Sequence, residues 1–229
     1  MSMLLRRRMM HPAADDYITD GLVMFLDGLN RGGVSGEWHD LIDDTVVVTL
    51  TNATEGSDGV TFTNGSSATS YGTFSKYVSV SYTVGTIESV TELNAIEVTG
   101  RTIMSMQTNG TMGGTVASTG TDGYPVARYY VSNATVNAYK FTNNAPTTKL
   151  IISCNDDRGY CNGQAGTKYN TGAVFSGGSG YWLARKANNN NPFNGVIHAI
   201  RLYNRKLTAE EILHNQRIDN ARYHMGLTI

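Results

Sequence analysis

Hydrophobic and polar positions alternate with a period of two in many short segments, which predicts β-strands rather than helices. The clearest example is residues 77–84, where Val78, Val80, Tyr82 and Val84 are separated by Ser and Thr. Further strands are predicted at residues 17–29, 45–50, 59–63, 87–98, 126–130, 135–141, 149–153, 180–184 and 196–203, with two short ones within 101–123. About a dozen short strands predict an all-β fold, a two-sheet antiparallel jelly-roll sandwich.

The N-terminal third of this pattern makes specific predictions about packing. In the first strand, Leu22, Met24 and Leu26 are expected on one face and Val23, Phe25 and Asp27 on the other. Residues 45–50 and 59–63 are expected to form a strand pair joined through residues 52–58. Trp38 is expected to pack into one end of the core, with sugar stacking as the alternative.

One helix is predicted, directly after the last strand. Thr208 occupies the N-cap position, and Glu211 stands three residues later, which is the spacing of a capping box. Leu207 and Ile212 stand where a hydrophobic staple would close around this cap. Two independent start signals therefore place a short C-terminal helix after residue 208.

Composition limits the classes of function. The chain has 229 residues, a formal net charge of −1 and charged residues at 16% of positions. This length suits one large sandwich, and the near-neutral charge argues against nucleic acid as a partner. No apolar run approaches the ~20 residues that cross a bilayer, so no membrane insertion is expected.

Residues 1–16 differ from the rest, being first basic and then acidic. They lack the apolar stretch of a secretory signal, so export by that route is not expected. We expect either a flexible terminus or an arm that docks on a partner, because Met and Arg are common in interfaces. The predicted docking residues are Leu4, Leu5, Arg6, Arg7, Arg8, Met9 and Met10, and the predicted division is 1–16 for this arm and 17–229 for the sandwich domain.

Three segments carry a resemblance to a known family. Residues 193–212, FNGVIHAIRLYNRKLTAEEI, resemble the closing motif of laminin-G-like, concanavalin A-like domains. Residues 21–30 with 37–41 resemble the opening of those domains, and Tyr160 to Gly163 resembles their Y-V-N-G hairpin. The chain departs from the family at His198 and Ala199, where acidic residues are usual. The resemblance implies the sandwich fold, which carries lectins, glycanases and structural modules alike.

Retaining glycanases of this fold place carboxylates on alternate positions of one strand, in an E-x-D-x-x-E arrangement. That arrangement is absent from the sequence. Glu88 and Glu92 share one strand parity and Glu97 has the other, so all three are interpreted as solvated acids. His39, His198 and His214 have no evident partner for general-base catalysis. The sequence therefore predicts that the chain is not an enzyme.

Metal and redox chemistry have weak signals. Asp40, Asp43 and Asp44 could offer oxygen ligands to calcium. Acidic residues in a turn usually contact only water, however. The prediction is therefore that the chain has no cofactor, with calcium as the alternative. Cys154 and Cys161 are separated by six residues, which leaves a disulfide and two thiols both open, with thiols favoured. They lack the further ligands of a zinc site.

A carbohydrate site is the most accessible binding function for such a chain. Residues 155–162 offer amide, carboxylate, guanidinium and ring groups in one turn. The alternative is that the same residues form an ordinary hairpin with an Asn-Gly turn and bind no ligand. The predicted sugar-binding residues are Asp156, Asp157, Arg158, Tyr160, Asn162, Tyr124 and Tyr169.

These observations lead to one hypothesis and two alternatives. A lectin-like fold without an export signal is expected in a bacteriophage structural protein, such as a head-decorating, fibre or tail-associated component. It would be made in the host cytoplasm, attach to other virion proteins through residues 1–16, and face host surface glycans, with a homo-oligomer as one arrangement. A stand-alone bacterial carbohydrate-binding module is the first alternative and a glycanase is the second.

Overall fold

The computed structural model describes residues 16–78, 85–95, 101–108, 111–119, 125–130, 136–142, 147–169, 180–185 and 191–229. Its strands, numbered in chain order, pair antiparallel in two sheets. In spatial order, sheet A contains β14 (Gln164–Ala165), β13 (Gly159–Cys161), β12 (Lys149–Cys154), β7 (Thr86–Leu93), β17 (Gly195–Tyr203), β5 (Val60–Phe62) and β4 (Thr54–Glu55), and β1 (Leu22–Asp27) also pairs with β17. Sheet B contains β15 (Thr167–Tyr169), β11 (Val136–Lys140), β10 (Pro125–Tyr130), β9 (Thr111–Thr119), β8 (Arg101–Thr108), β16 (Gly180–Leu183), β6 (Tyr71–Phe74), β3 (Val47–Thr51) and β2 (Glu37–His39).

The main core lies between the two sheets, because alternate side chains of both point towards each other. Met24, Ile152 and Ile200 from sheet A join Trp38 and Met104 from sheet B in one buried cluster. Trp38 is fully buried and its indole Nε1–H donates to the Asp27 carbonyl at 3.2 Å. The predicted all-β sandwich and the predicted core position of Trp38 are both confirmed.

The outer face of sheet A is covered by a helix, α1 (Ala209–Arg222). A second apolar cluster forms there from Phe25, Val90 and Ile151 of the sheet together with Tyr223 and Met225 after the helix. The helix begins as predicted: Thr208 Oγ1 accepts from Glu211 N–H, and the Glu211 carboxylate accepts from Thr208 N–H at 2.8 Å. The same carboxylate binds Arg205, which together with the cap lowers the pKa of Glu211 to about 2.

Two packing predictions for the N-terminal third are wrong. The pairing of β1 with β17 shifts register between Leu22 and Met24, so Leu22 packs on the outer cluster while Val23 contacts the main core. Such an irregularity moves side chains to the opposite face because the strand period is two. Strands β3 and β5 do not pair either: β3 pairs with β2 and β6 in sheet B, whereas β5 pairs with β4 and β17 in sheet A.

Several other predictions lie outside the described residues. They concern most of the strand at 77–84, Glu97, Tyr124 and the docking arm of Leu4, Leu5, Arg6, Arg7, Arg8, Met9 and Met10. The division at residue 16 therefore stays a prediction. In the described part of the chain, no helix is long and apolar enough to cross a membrane.

Candidate functional site

The turn predicted to bind sugar follows β12 and is built around a buried amide. Asn155 Oδ1 accepts from Asp157 N–H at 2.9 Å and from Arg158 N–H at 3.0 Å, which closes the turn. Asp157 then binds Lys206 Nζ at 2.8 Å, and Asp156 lies 3.6 Å from the same ammonium. These contacts hold the turn against the segment before α1. Asp156, Asp157 and Arg158 therefore share one turn.

Tyr160 and Asn162 have internal roles in the same hairpin. The Tyr160 ring packs against the small cluster of Tyr203, Leu207 and Ile212 below the start of α1. Asn162 is buried, its Oδ1 accepts from Ile151 N–H at 2.8 Å, and its Nδ2 donates to Lys149 O at 2.9 Å. Its φ of 50° followed by Gly163 at 80° makes the tight Asn-Gly turn. Both side chains thus make internal contacts, and their predicted roles in sugar binding stay predictions.

The backbone of Tyr169 lies on edge strand β15. Its role as a sugar plate, like that of Asp156, Asp157 and Arg158 in binding, stays a prediction.

The interpretation of Glu88 as a solvated acid is wrong, because its side chain lies under α1 and the residue is 1% exposed. Its carboxylate accepts from Arg201 Nε, from Asn215 Nδ2 and from Ser153 Oγ, each at 2.9 Å. Arg201 also donates to Asp219. We refer to Arg201, Glu88 and Asp219 as the helix-base network. It is sealed from solvent and therefore fastens the helix to sheet A instead of meeting a substrate.

The acidic segment considered for calcium is engaged internally. Asp40 is buried and accepts from the N–H groups of Phe25, Ile42 and Asp43. Burial raises the pKa of Asp40 to about 6. Among the described residues, no group of three or more His, Cys, Asp or Glu side chains could hold a metal ion. Calcium binding thus stays an untested alternative, with Asp44 as the exposed acid of this segment.

Cys154 and Cys161 both lie buried in the main core without a disulfide between them. Burial raises the pKa of the Cys154 thiol.

A cleft that the sequence pattern did not indicate lies where the chain crosses from sheet A to sheet B. Its volume is about 460 Å³, and it is lined by residues 28–31, 33–35, 55 and 57. One wall is the connection from β1 to β2, and the other is the hairpin turn between β4 and β5. We call it the crossover cleft.

Backbone contacts make both walls of the crossover cleft rigid. Gly28 N–H donates to His198 O of β17 at 2.7 Å, and His39 N–H of β2 donates to Arg31 O at 3.0 Å. A Cβ at Gly28 would lie 2.3 Å from Asp58 O, so only glycine permits the two walls to approach this closely. Opposite, Gly56 N–H donates to Gly59 O at 2.8 Å and closes the hairpin turn.

Glu55 joins the two walls through its carboxylate. Oε1 accepts from Gly36 N–H at 2.8 Å and from Ser35 Oγ at 3.2 Å. The hydrogen bond from Gly36 lowers the pKa of Glu55 below its ordinary value, with Ser35 and Arg31 adding to the effect. Glu55 is therefore ionised at neutral pH.

Arg31 faces this carboxylate across the cleft. Its Nη1 donates to Gly28 O at 2.7 Å, while its Nε lies 3.5 Å from Glu55 Oε2, beyond an ordinary hydrogen bond. Arg31 Nε is also buried without a hydrogen-bond partner. The side chains of Leu29 and Val34 are 42% and 48% exposed on the same loop. The cleft thus combines polar groups with spare capacity and an apolar surface.

His198 lies behind this region and is buried at 5% exposure. It stands where β17 changes its partner from β5 to β1, and its Nδ1 is 3.0 Å from Asp58 O. His198 therefore packs within the strand. The one sequence signal that could have pointed to the cleft is the glycine-rich loop 28–36, which exposes Leu29 and Val34 between polar residues.

Comparison with known proteins gives a fold likeness. No family model matches the chain, and no curated protein matches it. Trypanosoma rangeli sialidase matches with a TM-score of 0.57 at 16% identity, over 93% of this chain but 37% of the sialidase. A botulinum neurotoxin type C structure, described as depending on two ganglioside molecules for cell entry, matches with a TM-score of 0.57 at 13% identity, over 86% and 51% of the two chains. The chain thus spans well under two thirds of both proteins.

A third match has nearly the same length as this chain. Domain 4 of AbnA, a GH43 extracellular arabinanase from Geobacillus stearothermophilus, solved with arabinotriose, matches with a TM-score of 0.55 at 16% identity, over 84% of this chain and 96% of that domain. At these identities the likeness shows the fold alone, an antiparallel β-sandwich.

The comparisons also correct one prediction. The chain was predicted not to be an enzyme because the E-x-D-x-x-E strand is missing. That prediction is wrong as an exclusion, since structures with this fold include sialidases and a domain of an arabinanase. A missing motif of one glycanase class says nothing about other classes of glycosidase, which use different residues.

Proposed function

We propose that this chain is a carbohydrate-binding domain and that its ligand lies in the crossover cleft. The observation that carries the proposal is the Glu55 carboxylate in the cleft: Gly36 and Ser35 engage its Oε1, while Oε2 faces Arg31 at 3.5 Å and can still accept from a ligand. Small-ligand sites combine a concave surface with a few fixed polar groups of this kind.

The groups of the cleft match the surface of a sugar. Hydroxyl groups can donate to a carboxylate and accept from a guanidinium, while the aliphatic faces of Leu29 and Val34 can cover C–H groups of a ring. Because the polar groups are already held in place by backbone contacts, little conformational entropy is lost on binding. The arabinotriose complex of the arabinanase domain supports saccharides as the ligand class for this fold.

The test is saccharide binding by the full chain and by two matched variants. Glycan-array and calorimetric binding are measured for the wild type, Glu55→Gln and Asp157→Asn, with calcium and with chelator. We expect Glu55→Gln to weaken binding about tenfold, since it removes a charge-assisted hydrogen bond. Asp157→Asn makes the same chemical change in the turn predicted from sequence and should leave binding unchanged. The reverse result would move the site to residues 156–158, and failure to bind any saccharide would end the proposal.

The glycan-processing alternative uses the same samples. Release of reducing ends from a polysaccharide panel would make the chain a glycosidase, and dependence of that release on Glu55 would place it in the crossover cleft.

A finer proposal concerns the biological setting. We propose that the domain belongs to a phage particle, attaches to other virion proteins through residues 1–16, and meets host glycans at the virion surface. The Met and Arg content of residues 1–16 supports it. The protein should then co-sediment with purified particles and lose incorporation when those sixteen residues are removed. Co-sedimentation independent of them would contradict the docking role.

A further inference from the structure

We infer that the crossover cleft selects neutral oligosaccharides and discriminates against acidic ones such as sialylated glycans. This inference rests on the proposed function and adds the substrate class. Its basis is the charge balance of the cleft: among its lining residues Arg31 is the cation and Glu55 is the anion, so their charges cancel.

The charge of Arg31 is already compensated, so this residue offers no excess attraction to an anion. Its Nη1 is held by the Gly28 carbonyl, and its Nε faces Glu55 Oε2 at 3.5 Å. A ligand carboxylate at the guanidinium would therefore also lie close to an ionised carboxylate. Attraction to Arg31 and repulsion from Glu55 act over similar distances in the same surroundings, so they offset one another. The desolvation cost of the ligand charge then remains uncompensated.

The acids near the cleft do not change this balance. Asp58 lies 3.6 Å from His198 Nδ1, and Asp27 binds Arg222 and accepts from Tyr223 Oη at 2.8 Å. His39 on β2 faces Glu37 at 2.7 Å. Each of these three carboxylates has a basic partner, so these groups supply no excess positive charge to attract an acidic sugar.

A neutral sugar can use the same pair without this conflict. Glu55 Oε1 is filled by Gly36 and Ser35, so Oε2 is the oxygen that can accept from a ligand hydroxyl. Arg31 Nε lies buried 3.5 Å from Oε2, so a ligand hydroxyl at Oε2 meets a carboxylate whose charge is already compensated. Hydrogen bonds with one charged partner are stronger than neutral ones, so Oε2 can bind a neutral hydroxyl without a second charge entering the cleft.

The test uses paired glycans that differ only in an acidic group: lactose against sialyllactose, and neutral arabinan or galactan fragments against uronic-acid-bearing counterparts. Binding is measured by calorimetry on the full chain at low and high salt. We expect the neutral member of each pair to bind at least tenfold more tightly, with little salt dependence. Equal or tighter binding of the acidic members would overturn the inference while leaving the proposed function standing.

The variant Glu55→Gln tests the charge argument through the preference between neutral and acidic glycans, which a purely structural role of Glu55 would not change. Glutamine keeps the acceptor for Gly36 and Ser35 but leaves the charge of Arg31 uncompensated. Affinity for neutral glycans should fall about tenfold, and the preference should shift towards the acidic members with a new salt dependence. Asp157→Asn should leave both affinities unchanged, and thermal unfolding checks that each variant is folded. Weaker neutral binding without a shift in preference would contradict the charge argument. If the affinity for saccharides is the same in every cleft variant as in the wild type, the proposed function itself is contradicted.

Discussion

The helix-base network and the crossover cleft both pair an arginine with carboxylates, but they differ in their exposure to solvent. In the helix-base network, Arg201 and Glu88 are each 1% exposed and Asp219 is fully buried. In the crossover cleft, the side chains of Arg31 and Glu55 are 18% and 26% exposed and stand 3.5 Å apart. The first group is closed and satisfied by its neighbours, whereas the second is open and incompletely satisfied.

Burial explains the difference in behaviour. Under α1, burial raises the pKa of Glu88, because two carboxylates share a single guanidinium away from water. In the cleft, hydrogen bonds lower the pKa of Glu55, because water still reaches the group and Gly36 donates to it. A buried ion pair fixes the position of an element, while a half-exposed pair keeps capacity for a ligand.

The largest effect should come from removing the buried guanidinium. Arg201→Met leaves Glu88 and Asp219 buried without their cation, so we expect the free energy of unfolding in urea to fall by ~3–5 kcal/mol. Arg205→Met is the matched control, because the Arg205–Glu211 pair is partly exposed and should be worth less than ~1 kcal/mol. Equal losses for the two variants would show that burial does not separate these pairs.

The pH dependence of the two glutamates should have opposite signs. Glu88 has its pKa raised above 4.5, so its contribution to stability is full below pH 4.5 and is lost as the pH rises through its folded-state value. Glu55 has its pKa lowered below 4.5, so its contribution is present above pH 4.5 and is lost as the pH falls through its folded-state value. Carboxyl ¹³C NMR titration, assigned with Glu88→Gln and Glu55→Gln, should place Glu88 above Glu55. The opposite order would refute the burial argument.

A smaller effect is expected at the start of the helix that covers the network. Thr208→Ala removes the acceptor for Glu211 N–H and should lower the free energy of unfolding by ~1 kcal/mol. Thr208→Ser keeps the hydroxyl and should cost much less. If alanine and serine destabilise equally in urea, the cap is not what holds this helix end.

The smallest effect on stability should come from the cleft. Arg31→Met removes a half-exposed pair, so the free energy of unfolding should change by less than ~1 kcal/mol while saccharide binding falls at least tenfold. Urea unfolding and calorimetry on one preparation measure both quantities. A loss of several kcal/mol would make the cleft pair a structural device like the helix-base network.

Local signals in the sequence were interpreted correctly, and long-range ones were not. The capping box joins Thr208 to Glu211 within one helical turn, so its chemistry is complete in four residues. Glu88, by contrast, depends on Arg201, which is 113 positions away. Nothing near Glu88 in the sequence distinguishes it from a solvated strand acid. The same limit hid the crossover cleft, because Glu55 meets Gly36 across 19 positions and two sheets.

The sequence by itself determined most of the elements: alternation with period two specified many strands, the cap signals specified where α1 begins, and the apolar positions specified a sandwich core. The short strands β2, β4, β6 and β15 were not predicted. Only the tertiary structure decided which sheet each strand joined. It placed β3 and β5 in different sheets, and it turned Leu22 outward at the register shift in β1. It also decided which arginine–carboxylate pair is sealed and which is open. Periodicity is a property of neighbouring residues, whereas burial and register depend on partners that only the folded chain brings together.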